Sequence, residues 1–243
     1  MRKNFGPKTA CYPMPVYIIA TYNADGTPNA MNAAWGGISE EKEISICVDS
    51  GHKTAENLAA RGAFTVSMAT AKYMAACDYV GIVSGNKEPD KFAKAGFHAT
   101  KSEFVDAPVI DELPMALECR VVSYNPETCR LVGEIVNVCA DESVLTDGKV
   151  DVSKLQPITY DPMNHHYLVL GEKVGNAFHD GAALGTWSEP SPYTFAAGED
   201  SHYAALIVYM PEEVGNAANY RGTHQPRVEL GITVSAQQAN APQ

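Results

Sequence analysis

The sequence predicts a mainly β protein, an antiparallel β-barrel with a few peripheral helices. Apolar and polar residues alternate in short segments such as 44–48, which is the period of a strand. An Asp25-Gly26 pair, the kind that closes tight hairpins, separates two β-like segments, and a short Asn-Pro turn separates two long ones, 113–124 and 130–140. The stretches of helical composition are short and lie between these segments.

The composition restricts the class of partner. The 243 residues are 45% hydrophobic and 19% charged, enough for a substantial buried core. The formal net charge of −11 argues against a nucleic-acid surface or an anionic membrane as partner.

No apolar run is long enough for a membrane span and the N-terminus lacks a signal-peptide pattern, so we expect a cytoplasmic protein. The six cysteines form no C-x-x-C pair and are expected to be mostly buried, reduced thiols.

The first strands are predicted as a hairpin. Residues 16–22 are rich in β-branched and aromatic side chains, and they should pair with 29–35 across the Asp-Gly turn. Residues 44–48 and 63–68 alternate in the same way and predict two further strands.

A polar turn, Asp-Ser-Gly-His-Lys-Thr at 49–54, leads into a predicted helix with Thr54 as N-cap and Gly62 as its end. The free N–H groups and the dipole at a helix start favour an anion, and Lys53 adds a positive charge. The hypothesis is that this turn holds a phosphate. The alternative is an ordinary solvated, capped turn.

The rest of the chain adds two short helices, near 72–79 and 89–96, and β-segments near Tyr160 and 167–170. The two long runs are predicted to form an antiparallel hairpin.

The composition changes beyond Asp180, where lysine and cysteine no longer occur. We therefore predict a main domain at 1–184 and a C-terminal, β-containing appendage at 185–243. Its predicted strands are 203–209 and 228–234, followed by a free tail at 236–243.

Motifs in a fixed order resemble the flavoredoxin branch of the flavin reductase-like proteins. They are Y-P-M-P-V, A-D-G-T-P-N-A-M-N-A-A-W-G-G, I-S-I-C-V-D-S-G-H-K-T-A-E-N-L, A-F-T-V-S-M, D-Y-V-G-I-V-S-G with D-K-F, L-E-C-R-V-V, L-V-G-E-I-V-N-V and H-Y-L-V-L-G-E-K-V-G-N-A-F. The similarity covers roughly residues 8–178, and the ordered combination is more specific than any single motif. It implies an FMN-binding split β-barrel, usually a homodimer with the flavin near the subunit interface.

The resemblance implies a set of cofactor-binding residues. They are Asn29, Met31, Asn32, Ala33, Trp35, Asp49, Ser50, His52, Lys53, Thr54, Asn57, Tyr79, Ser84 and Lys91. The turn at 49–54 would hold the FMN phosphate, with Lys53 supplying charge and the turn's hydroxyls donating hydrogen bonds. Segment 29–35 would lie against the isoalloxazine ring, and the block at 78–91 would cover the ring or the ribityl chain.

Two of these roles have open alternatives. Met31 and Trp35 could fill the barrel core, and Lys91 could pair with a surface carboxylate.

The sequence contains no motif for a metal site, for a serine nucleophile or for a dinucleotide-binding domain. The adjacent histidines 165 and 166 would point to opposite faces of a strand, so no metal site is predicted. The sequence also contains no G-x-S-x-G or G-x-G-x-x-G pattern in the required context.

The predicted function is therefore an FMN-binding oxidoreductase in which the flavin, not a side chain, carries the chemistry. The flavin would take hydride or electrons at N5, with NADH or NADPH docking transiently, and would pass them to a small-molecule or protein acceptor. The alternative is a flavoredoxin-like electron carrier that exchanges electrons with a protein partner without oxidising NAD(P)H. A third reading is a ligand-binding module without redox turnover.

Overall fold

A computed structural model describes residues 2–177 and 179–180 of the chain. The strands are β1 (Met14–Pro15), β2 (Tyr17–Tyr22), β3 (Pro28–Ala33), β4 (Gly36–Glu40), β5 (Glu43–Cys47), β6 (Ala63–Met68), β7 (Ala99–Lys101), β8 (Pro108–Ile110), β9 (Met115–Asn125), β10 (Arg130–Ala140), β11 (Leu145–Thr146), β12 (Lys149–Val150), β13 (Ile158–Asp161) and β14 (His166–Val169). The α-helices are α1 (Lys53–Arg61), α2 (Met74–Ile82), α3 (Lys91–Lys94) and α4 (Val152–Leu155), and short 3₁₀ turns lie at Ala71–Tyr73 and Glu142–Val144.

A seven-stranded antiparallel sheet is the centre of the fold. Its strand order is β3-β2-β6-β9-β10-β5-β4, and smaller sheets are formed by β1-β13-β14, β7-β8 and β11-β12. The predicted first hairpin is confirmed, since β2 and β3 pair from Tyr17 with Ala33 to Tyr22 with Pro28. The long hairpin of β9 and β10 is also confirmed, although β9 begins at Met115 and two register shifts interrupt the pairing.

Strand β2 is buried on both faces, which explains its nearly continuous apolar sequence. Ile19 belongs to a core cluster with Ile44, Ile46 and Phe64. Ile18 belongs to a second cluster under α2 and α3. Because neighbouring residues of a strand point to opposite faces, the sheet has a core on each side of β2.

The N-cap of helix α1 lies two residues before the predicted one. The N-cap is His52, and Thr54 lies inside the first turn with its side chain buried. The predicted Thr54 cap is therefore wrong, because its hydroxyl accepts a hydrogen bond from Asn29 instead of bonding the helix backbone. The predicted end is confirmed, since Gly62 has φ 64°, the left-handed conformation that glycine adopts without strain.

The chain divides into two compact units, Met1–Glu172 and Lys173–Gln243. The sheets and helices named above belong to the first unit. The predicted boundary at 184, the strands at 203–209 and 228–234, and the tail at 236–243 lie outside the described residues. Within the part of the chain that the structure describes, no helix has the length and apolar composition needed to cross a membrane.

Candidate functional site

A cavity of 180 Å³ lies where β3, the start of α1 and the segment joining α2 to α3 meet. Its lining residues are Met31, Asn32, His52, Lys53, Thr54, Val80, Gly81, Ile82, Val83, Ser84, Gly85 and Lys91. Two predicted blocks that are distant in sequence, the polar turn and the stretch around Ser84, therefore share one cavity with the first hairpin.

Asn29 does not itself line the cavity, but a buried hydrogen bond joins it to the lining residue Thr54. The amide Nδ2 of Asn29 donates to Oγ1 of Thr54 over 3.1 Å, and the two residues are 3% and 1% exposed. Because the Thr54 hydroxyl accepts this bond, its own hydrogen remains available for a ligand in the cavity.

The start of α1 supplies further donors. His52 makes no side-chain cap, and the backbone N–H groups of Lys53 and Thr54 make no hydrogen bond to any described residue. The ammonium group of Lys53 pairs with Glu56 over 2.7 Å, but Glu56 is exposed, and a surface pair of this kind contributes at most about 1 kcal/mol. An anion at the helix start could therefore replace Glu56 as the partner of Lys53 at little cost.

The loop after α2 packs tightly against this helix start. The side-chain amide of Asn86 donates to the carbonyl of Gly51 over 3.0 Å. A Cβ atom on Gly85 would lie 2.7 Å from Oδ1 of Asn29 and 3.2 Å from Cβ of Lys53. Only glycine fits at position 85 without displacing a cavity residue.

Lys91 is a buried cation at the cavity wall. It is 4% exposed, and its ammonium group donates to the carbonyl oxygens of Val80 and Val83, each over 3.0 Å. Burial lowers its pKa to about 8. No described carboxylate forms an ion pair with it, so the alternative of a surface ion pair is wrong.

The cavity is therefore electropositive and rich in donors. The helix start, Lys53, Lys91 and the Thr54 hydroxyl all favour a negatively charged or oxygen-rich group. Its volume is smaller than the roughly 300–1,000 Å³ of pockets that enclose a whole organic ligand. It therefore suits the charged end of such a ligand, not the entire molecule.

Three predicted residues lie outside the cavity lining for structural reasons. Asn57 donates both amide hydrogens away from the cavity, to Oγ1 of Thr21 at 3.0 Å and Oδ1 of Asn23 at 2.9 Å. Tyr79 packs against the core cluster under α2, and Ala33 is buried in the cluster on the other side of the sheet.

Asp49, Ser50 and Trp35 also lie outside the lining. Asp49 shapes the turn, because its Oδ1 accepts the N–H of Gly51 over 2.8 Å, and Ser50 is exposed on the same turn. Trp35 follows the end of β3 and is 58% exposed, so it does not fill the core. It lines a different cavity, of 360 Å³, together with residues 8–11 and 13–15.

Two features of the cavity wall are absent from the residues that the sequence predicts. They are Gly85 and the carbonyl groups of Val80 and Val83. Gly81, which was noted only as part of its block, lets α2 approach β3, since a Cβ there would lie 2.8 Å from Cβ of Asn32. The glycines spaced within D-Y-V-G-I-V-S-G were the available signal, because each allows close backbone approach.

The chain resembles known proteins in sequence and in structure. Residues 9–168 match the model of the flavin reductase-like domain family. The flavoredoxin of Desulfovibrio vulgaris (Miyazaki F) is 38% identical with a TM-score of 0.71, over 74% of this chain and 100% of that one. The flavoredoxin from Methanosarcina acetivorans is 28% identical with a TM-score of 0.67, over 76% and 98%. The uncharacterized protein YdfE of Bacillus subtilis is 24% identical over 72% of this chain and 93% of that protein.

The matched region includes the seven-stranded sheet, the polar turn and both sides of the cavity. The prediction of a mainly β, antiparallel split barrel is confirmed by the sheet and by the likeness to solved flavin reductase-like structures, one of which is described as having a split barrel domain. The family model covers well over half of the chain. The chain therefore belongs to the flavin reductase-like domain family.

Proposed function

We propose that this protein binds FMN without a covalent bond and works as an oxidoreductase through that flavin. The observation that carries the proposal is the electropositive cavity at the start of α1, in a chain similar to flavoredoxins. A phosphate matches the cavity's donors, because it offers negatively charged acceptor oxygens to N–H groups, a hydroxyl and two ammonium groups.

Different residues of the cavity would bind different parts of the cofactor. The N–H groups of Lys53 and Thr54, the Thr54 hydroxyl and the Lys53 ammonium group would hold the phosphate. Ser84 and Lys91 would face the ribityl chain. Asn32 lies on β3. The side-chain amides of this strand suit the polar edge of a flat ring, and its small apolar residues suit the face of the ring.

When bound, the flavin would supply the redox chemistry by accepting and returning hydride or an electron pair. The chain's residues would bind and orient the cofactor and set the charge around it. Lys91 would matter most for that charge, since a buried cation acts in a medium of low dielectric constant. No side chain is needed as a nucleophile.

We further propose that NADH or NADPH is the reductant. Anaerobic stopped-flow mixing of the FMN-loaded protein with each nucleotide tests this. Bleaching of the flavin absorbance within seconds is the expected result. A flavin that stays oxidised with both nucleotides, but is reduced by dithionite, would contradict it.

The second candidate function is electron exchange with a protein partner, without oxidation of NAD(P)H. It is favoured by the 38% identity to a flavoredoxin over the whole length of that protein. In the stopped-flow experiment this function predicts no bleaching by nucleotides. It also predicts rapid oxidation of the dithionite-reduced protein by an added redox protein.

We also propose that the protein is a homodimer. The cavity is too small for a whole FMN, so the rest of the cofactor needs a further wall, which a second copy could supply. Exposed apolar side chains on the large sheet, Ile38, Val122 and Val138, give candidate surface for the contact. Sedimentation of the FMN-loaded protein should give twice the mass of one chain, and a monomer would contradict this.

We also propose a cytoplasmic location for the protein. Fractionation of cells that express the tagged protein should recover it with the cytoplasmic fraction. Recovery with the membranes or outside the cell would contradict this.

A further inference from the structure

Two cysteines lie beside each other on adjacent strands near the polar turn. Cys47 is the last residue of β5 and is exposed, and Cys129 directly precedes β10 and is partly buried. Cys47 is paired with Arg130, and the N–H of Val48 donates to the carbonyl of Cys129 over 2.7 Å. Cys47 and Cys129 are therefore diagonal neighbours across the ladder.

This register suits a disulfide. Strands about 5 Å apart and a step of about 3.4 Å along the strand place the two Cα atoms about 6 Å apart. Disulfides join Cα atoms roughly 4.4–6.8 Å apart.

The backbone of Cys129 departs from the conformation of a regular strand. In regular strands these diagonal residues would point to opposite faces. Cys129 instead has φ 58°, a left-handed conformation at the end of the turn between β9 and β10. Its Sγ atom lies 3.8 Å from Oδ2 of Asp49, two residues beyond Cys47. Desolvation by neighbouring atoms, the Cys129 thiol and the Asp49 carboxylate together raise the pKa of the Cys47 thiol.

The other cysteines have different surroundings. Cys77 and Cys119 are fully buried in the two core clusters, and the Cys139 thiol donates to the carbonyl of Ala116. Cys11 is exposed on the N-terminal segment. Among the described cysteines, the pair formed by Cys47 and Cys129 combines proximity with access to solvent.

We propose that Cys47 and Cys129 are a modification site that forms a reversible intramolecular disulfide with a low-molecular-weight disulfide as oxidant. One cysteine thiolate attacks a sulfur of the oxidant, giving a mixed disulfide and releasing one thiolate of the oxidant. The second cysteine thiolate then attacks the protein sulfur of the mixed disulfide and releases the other. Two protein thiols are oxidised, one disulfide is reduced to two thiols, and no oxygen is required.

The site does not depend on flavin binding, so its test is separate from that of the proposed function. The full chain carrying Cys11→Ser is reduced, freed of reductant and treated with glutathione disulfide. Remaining thiols are alkylated and the peptides are mapped by mass spectrometry. The expected product is a peptide pair linked through Cys47 and Cys129, with two thiols lost and both recovered on adding dithiothreitol.

The rate gives a second readout. Because the thiolate is the reacting species, oxidation should be faster at about pH 9 than at about pH 7. Adding Cys47→Ser or Cys129→Ser should stop the reaction at the mixed disulfide, since no neighbouring thiol can displace it. Adding Cys139→Ser is the matched control and should leave the linked peptide unchanged. A stable mixed disulfide on the Cys11→Ser protein, or no modification of either cysteine, would overturn the proposal.

Discussion

Asn29 on β3 and Thr54 in the first turn of α1 are joined by a buried hydrogen bond of 3.1 Å at the edge of the cavity. One helical turn later, the Asn57 amide donates two further buried hydrogen bonds, to Thr21 and Asn23. Two asparagines thus fix α1 to the first hairpin, one beside the cavity and one behind the helix. The same kind of side chain has a different expected effect on ligand binding at each position.

Alanine substitutions at Asn29 and Asn57 should both affect stability, but only one of them should affect FMN binding. Asn29→Ala and Asn57→Ala should each lower the free energy of unfolding by about 1–3 kcal/mol, because each leaves a buried polar partner unsatisfied. Asn29→Ala should also weaken FMN binding, since Thr54 loses the bond that orients its hydroxyl. Asn57→Ala should leave FMN affinity within about twofold of the wild type.

Urea unfolding and FMN titration on the two variants check this prediction. Equal losses of FMN affinity would contradict the placement of Asn57 away from the cofactor. An unchanged affinity in Asn29→Ala would remove the hydrogen bond to Thr54 from the binding site.

The close approach at Gly85 gives a steric prediction. Gly85→Ala places a methyl group 2.7 Å from the Asn29 amide oxygen, so either the loop or Asn29 must move. We expect a loss of about 1–3 kcal/mol in stability and weaker FMN binding. Gly37→Ala is the matched control, because a Cβ there meets no atom within 4 Å.

Thermal unfolding and FMN titration of both alanine variants provide the measurement. A Gly85→Ala protein that binds FMN as tightly as the Gly37→Ala protein would show that the loop does not form part of the site.

The buried ammonium group of Lys91 predicts a pH dependence of stability. Its folded pKa, about 8, lies below its ordinary value of 10.5. Between these values the unfolded chain binds more protons than the folded one, so this group makes stability rise with pH. Below about pH 8 its burial cost is fully present, and above about pH 10.5 the cost has disappeared.

Lys91→Met should remove this dependence. The free energy of unfolding of the wild type, minus that of the variant, should increase from about pH 8 to about pH 10.5. Urea unfolding at several pH values gives this difference. A difference that is constant over the range would mean that the pKa of Lys91 is not lowered in the folded protein.

Much of the fold was predictable because local signals agreed with the sheet. The alternation at 44–48, the Asp25-Gly26 turn and the helix end at Gly62 each fixed an element whose position the structure confirms. The N-cap of α1 lies two residues before the predicted Thr54, because the Thr54 side chain accepts a tertiary hydrogen bond from Asn29 instead.

The sequence predicts which two segments form the site, but it does not predict which of their side chains face the cavity. Lys91 could have been on the surface by sequence, and its burial depends on two carbonyl groups exposed at the end of α2. Asn57 belongs to the same motif as Lys53 and Thr54, yet the turn of the helix directs it toward Asn23. Thr54 and Asn57 are both on the buried side of α1, and their order in the sequence does not show which of them meets the ligand.

The most direct test of the phosphate site compares FMN with riboflavin, which lacks the phosphate, on wild type and on a Lys53→Ala, Thr54→Val double variant. Loss of two charge-assisted donors should weaken FMN binding by about 100-fold or more, since each is worth about 1.5–3 kcal/mol. Riboflavin affinity should change by less than about threefold, and the far-ultraviolet spectrum should be unchanged. If the double variant binds FMN as tightly as the wild type, or loses both flavins equally, the start of α1 does not hold the phosphate.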